Sequence, residues 1–134
     1  MDALYQEQIL ALAKAVHLQG PLPNPDKTAT HSNPICGDRV DISLTLDHTI
    51  ITDIGASVRG CALCEAGTGL LMAIAPHIST TDLAALTDAF ALWLAGDDAA
   101  PIHKEMQKFM PVRDIRNRHK CVLLSFEAAR AAID

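Results

Sequence analysis

Two rhythms of apolar and polar positions divide this chain. From Asp2 to Leu18, Leu4, Ile9, Leu12 and Val16 recur at helical spacing and form one apolar stripe. Gly20, Pro21 and Pro23 close that helix, in the positions such residues take past a helix end. Residues 20–34 hold four Pro among Asn, Asp, Ser and Thr, and read as loop with a short strand around Thr28 to Ser32. From Arg39 the period drops to two. Val40, Ile42, Leu44 and Leu46 point one way while Asp41, Ser43 and Thr45 point the other, a half-buried strand. Asp47-His48 supplies a turn, and Thr49 to Val58 is a second strand rich in β-branched residues.

Past Arg59-Gly60 the sequence loses nearly all charge and predicts a buried helix that starts close to Cys61 and stops at Pro76. Gly67 and Gly69 inside it each cost about 1 kcal/mol relative to Ala, a sign of tight packing. Ser79 to Asp82 offers N-caps for a helix from about Asp82 to Leu94, with Leu83, Leu86 and Phe90 on its core face. A short helix over Ala100 to Phe109 comes next. Met110-Pro111 then opens a basic linker with Arg113, Arg116, Arg118, His119 and Lys120, and an Ala-rich helix runs from Cys121 to Ile133. The order helix, strands, helices indicates an α+β fold: a small antiparallel three-stranded sheet packed against several helices on one side.

A length of 134 residues suits one domain spanning 1–134. The formal charge of −5 and the lack of a Lys/Arg-rich run argue against nucleic acid as the main partner. The nearly uncharged stretch Ala66 to Pro76 falls short of the roughly 20 residues that span a bilayer, so no membrane partner is expected. The amino terminus lacks the basic start and apolar run of a secretory signal, so a cytoplasmic protein is expected. In a reducing compartment the four cysteines, Cys36, Cys61, Cys64 and Cys121, are read as metal ligands or reactive thiols, or else as small buried hydrophobes.

Three of them sit at element boundaries. Cys36 lies in Asn-Pro-Ile-Cys-Gly-Asp before a strand, Cys61 at a strand-to-helix junction, and Cys121 where the basic linker meets the last helix. If these loop ends gather at one sheet edge, three thiolates and the Asp38 carboxylate can converge. Such a set satisfies tetrahedral zinc or a [2Fe–2S] cluster. The hard carboxylate among soft thiolates makes the site more labile than four thiolates would be. Helix amino ends at Cys61 and Cys121 are expected to lower their thiol pKa values. The separations of 25 and 60 residues match no short zinc-finger pattern, so spacing leaves the metal open.

Asn33-Pro34-Ile35-Cys36-Gly37-Asp38-Arg39 before an alternating strand resembles the first signature of the U-type iron–sulfur scaffold proteins, the IscU, SufU and NifU amino-terminal group. Gly60-Cys61 opening a small-residue helix resembles the second. Arg118-His119-Lys120-Cys121-Val122-Leu123-Leu124-Ser125-Phe126 resembles the third, in its SufU-like form. The resemblance implies a scaffold, not an enzyme, in which Cys36, Asp38, Cys61 and Cys121 ligate Zn2+ or a nascent [2Fe–2S] cluster. It implies sulfur delivery from a cysteine desulfurase and cluster transfer to apo-protein recipients. Cys121, at the linker end, is taken as the persulfide acceptor.

Two positions depart from that pattern. Lys120 stands where the IscU branch has a ligating His, and it is expected to pair with the negative charge of the site, while His119 is read as a solvent-facing linker residue. Cys64 stands where the family has a small residue such as Ser. It is read first as an inert packed thiol, then as a substitute ligand or a Cys-x-x-Cys redox partner of Cys61. Glu65 is either a solvent-facing charge at the helix start or an acid behind the ligands. The remaining histidines, His17, His31, His48, His77 and His103, are read as surface residues. Three functions follow in order: a cluster scaffold, a zinc-dependent sulfur acceptor working with a desulfurase, and a thiol–disulfide protein.

Overall fold

The structure is a computed structural model and describes residues 2–134. Helix α1 (Ala3–Gln19) starts at Asp2, whose carboxylate accepts the Leu4 N–H at 2.8 Å, and it buries Ile9, Ala13 and Val16. Three antiparallel strands follow in spatial order β1 (Lys27–Asn33), β2 (Asp38–Asp47), β3 (Ile50–Arg59). Helices α2 (Ala62–Ile74) and α3 (Thr80–Leu94) come next. A 3-10 helix, Lys104–Asp114, and a single 3-10 turn, Arg116–Arg118, lead into α4 (His119–Ile133). The molecule is α+β, and the two-residue period is visible in it: Val40, Ile42 and Leu44 are fully buried toward the helices, opposite Val58, Ala56 and Ile54. Among the described residues, no helix is long and apolar enough to cross a membrane.

The buried core runs between the sheet and the helices, with α2 at its centre. The glycines of α2 explain how. A Cβ at Gly67 would run into the Val122 backbone of α4, and one at Gly69 into the Leu12 backbone of α1. The helical cost of two glycines is thus exchanged for close approach on both sides. Phe90 of α3 joins the remaining elements, meeting Phe109 and Phe126 edge-on at ring centroids 5.9 and 5.4 Å away and Trp93 at 6.2 Å. Each such pair contributes about 0.5–1.5 kcal/mol beyond burial.

Two segments differ from the periodicity reading. β1 is seven residues long and fully paired, because Lys27 to Asn33 lie in register against Leu44 to Asp38 despite their polar composition. The expected helix Ala100–Phe109 and the basic linker are replaced by the 3-10 helix that passes through Pro111. Met106, Phe109 and Val112, three apart, are its buried residues, and a three-residue period is what 3-10 geometry presents to a core.

Candidate metal centre

The β1–β2 hairpin carries the first donors. The Asn33 side-chain oxygen accepts the Ile35 N–H at 3.2 Å, and the Gly37 N–H donates to the Asn33 carbonyl at 2.8 Å. Gly37 closes the loop at φ 74°, a conformation glycine takes without strain. Cys36 is left exposed at the hairpin tip. Asp38, the first residue of β2 and paired with Asn33, is buried.

The strand-to-helix junction supplies the next donor. Cys61 is the N-cap of α2 and half-buried, and its N–H donates to Asp38 Oδ1 at 3.1 Å. That bond needs Gly60. A Cβ there would stand 2.5 Å from Asp38 Oδ1, so only a glycine lets the carboxylate lie against the junction. Cys121, third residue of α4, is fully buried.

Cys36, Asp38 and Cys121 present donor atoms that all lie within 4.8 Å of one another, a group that can hold a metal ion. The Cys36 and Cys121 sulfurs are 3.9 Å apart, and Cys61 Sγ joins at 4.0 Å from Asp38 Oδ2. A zinc–sulfur bond of about 2.3 Å sets a tetrahedral edge of roughly 3.8 Å. The Cys36–Cys121 separation fits one such edge, while Cys61 lies beside the group of three, next to the Asp38 carboxylate.

Electrostatics here differ from the sequence expectation. The Cys121 thiol is held above its ordinary range, by burial first and then by hydrogen bonding to Asp38 and the charge of Cys61. Desolvation and crowded negative charge outweigh the helix end. A cation in the group would reverse that balance. The local positive charge is Arg118, not Lys120. Hydrogen bonding to Cys121, then the charges of Cys61 and Cys121, hold the Arg118 guanidinium above its usual value. Arg118 and Cys121 share a helix face at a spacing of three, the signal by which the sequence reveals this pair. Lys120 is exposed and instead lines an open groove of about 500 Å3 with Pro34, Ile35, Leu123 and Leu124.

Other side chains also fall differently from their sequence reading. His119 does not face solvent; it is half-buried, and its Nε2 lies 2.8 Å from the Val112 carbonyl, outside the donor group. Glu65 pairs with His17 across α1 and α2, which gives both a structural partner. Cys64, by contrast, is where its first reading puts it, buried in the core on the inner side of α2. Its thiol is pushed up to about 12 by burial, then by Asp38 and Cys61.

Comparison with known proteins identifies the family of the chain. Residues 4–134 match the family described as NifU-like N terminal domain. The iron-sulfur cluster assembly scaffold protein IscU of Streptococcus pyogenes serotype M1 is 26% identical over 136 residues, covering 99% of this chain and 84% of that protein. The zinc-dependent sulfurtransferase SufU of Bacillus subtilis is 24% identical, covering 99% and 91%. The crystal structure of a nitrogen-fixing NifU-like protein (N-terminal) from Brucella abortus superposes with TM-score 0.87 at 31% identity, covering 96% of this chain and 91% of that one. The hairpin thiol, the buried carboxylate and the two helix-start cysteines thus sit in a chain that belongs to the NifU-like N-terminal domain family.

Proposed function

We propose that this protein is an iron–sulfur assembly scaffold. Cys36, Asp38, Cys61 and Cys121 hold Zn2+ or a transient [2Fe–2S] cluster, sulfur arrives from a cysteine desulfurase, and the cluster passes to apo-proteins. The observation that carries this is the convergence of Cys36, Asp38 and Cys121 within 4.8 Å of one another, with Cys61 Sγ 4.0 Å from the carboxylate. Three thiolates suit iron or zinc, and the single carboxylate keeps the cargo releasable. The name of the Streptococcus relative supports the same reading.

Burial also moves one role. Cys121 is fully buried, whereas Cys36 is exposed at the hairpin tip, so Cys36 is the thiol an approaching persulfide can reach. Its thiolate attacks the terminal sulfur, the desulfurase S–S bond breaks, and the desulfurase thiolate leaves; no oxidant is needed. That accessibility favours a second reading, a zinc-dependent sulfur acceptor, in line with the Bacillus relative's name. The thiol–disulfide reading leaves Cys36, Asp38 and Cys121 without a role.

Anaerobic reconstitution with iron and sulfide separates the readings. A scaffold develops charge-transfer absorption, and Asp38→Ala slows its decay. Tightly held zinc without that absorption favours the sulfur acceptor. Tight metal binding retained after Cys36→Ser, Cys61→Ser and Cys121→Ser, each made singly, refutes the site.

A further inference from the structure

The outer face of the sheet carries a feature that metal binding does not use. In the row of the sheet nearest the centre, Arg39 of β2 stands directly opposite Arg59 of β3, and Ser32 of β1 completes the row. The alternation that buries Val40 turns both arginines outward, and both are exposed. With Asp41 and Ser57 of the next row they wall a concavity of about 160 Å3.

Like charges directly opposite in an antiparallel pair cost stability. Little offsets that cost here. Asp41 lies 3.4 Å from Arg39, but it is shared with the Thr30 hydroxyl. Arg59 makes no ion pair among the described residues. Two guanidiniums facing one hollow, on a chain of net charge −5, form a local positive spot in an acidic surface. Their planar forks match carboxylate geometry.

We infer that the Arg39–Arg59 pair is a docking site for a carboxylate-bearing segment of the cysteine desulfurase. This rests on the scaffold reading above and adds how the partner is seated. Exposed guanidiniums hold a free carboxylate weakly in water, so the occupant is a protein surface that covers and desolvates them. Two cations beside Asp41 are too few for a nucleic-acid backbone, which needs several phosphate contacts. Position completes the argument: Arg39 follows Asp38, and Arg59 precedes Gly60-Cys61. An acidic segment held here places its protein at the end of the sheet where Cys36 is exposed.

The test is association of the full-length protein with the cysteine desulfurase of the same organism, followed by stopped-flow at several salt concentrations. Arg39→Glu and Arg59→Glu should each slow association about ten-fold at low salt and flatten its salt dependence. Zinc content, by elemental analysis, should stay at the native value. Arg59→Thr should melt at or above the native temperature, because a like-charge pair is removed. Native association rates in both reversal variants, or an Arg59→Thr protein that melts several degrees lower, overturn the inference while the scaffold reading stands. A native protein that binds metal yet never associates with the desulfurase overturns both the inference and the sulfur-delivery part of that reading.

Discussion

Replacing Gly60 by Ala adds one methyl group at the tightest point of the metal centre. The new Cβ would lie 2.5 Å from Asp38 Oδ1 and 2.9 Å from its Cγ, whereas ordinary contact begins at 3.4 Å, so the carboxylate must retreat by roughly 0.9 Å. Ligand distances in a working site hold to about 0.2 Å. The retreat therefore removes Asp38 as a ligand. It also stretches the 3.1 Å bond from the Cys61 N–H to about 4 Å, beyond hydrogen-bond range. Losing a bond to a charged acceptor costs about 1.5–3 kcal/mol, or about 5–10 °C in melting temperature for a chain of this size. Zinc affinity, measured by competition with a chromophoric chelator, should fall at least about 10–100-fold, the range seen when groups supporting a ligand are lost. Native affinity in a folded Gly60→Ala protein would refute the argument that this glycine exists to admit the carboxylate.

Other consequences are open to measurement. Zinc affinity should weaken at least about ten-fold per unit of falling pH, because the Cys121 thiol is held protonated by burial and Asp38 and must lose its proton to bind; a flat profile between pH 6 and 8 contradicts this. The Cys64 thiol, pushed from 9.0 to about 12, lends stability that is complete below pH 9 and drains away as pH rises toward 12. Cys64→Ser should therefore reduce the alkaline decline seen in denaturant titrations by up to about 1.4 kcal/mol per pH unit, with zinc binding largely intact. Phe90→Ala should cost about 3–5 kcal/mol in chemical denaturation, since the ring joins α3 to Phe109 and Phe126; a loss below about 1 kcal/mol would sink that account.

What could be read in the sequence was what repeats. Alternation identified β2, Gly20 and Pro21 closed α1, Ser79 opened α3, and the residues around Cys36, Cys61 and Cys121 marked the candidate donors, of which Cys36 and Cys121 gather with Asp38. β1 is longer than its own pattern indicates because Lys27 to Asn33 carries almost no apolar signal; its pairing with β2 makes it a strand. Pro111 has the pattern of a stop and divides the 3-10 helix into helix and linker on periodicity alone, yet a helix with a three-residue period tolerates it once Met106, Phe109 and Val112 are buried. The His17–Glu65 pair and the hydrogen bond of His119 depend on which element faces which, information that no local pattern holds.

The glycine at 67 has a reach beyond packing. It lies on the helix that Cys61 caps, and its missing side chain lets Val122, the neighbour of Cys121, come so near that an added Cβ would sit 3.0 Å from the Val122 Cα. That bare surface acts as a gauge block, setting the gap between the helix that Cys61 caps and the first turn of the helix that carries Cys121. Widening it by a single methyl would spread the candidate centre from inside the hydrophobic interior, without touching any of its donor side chains.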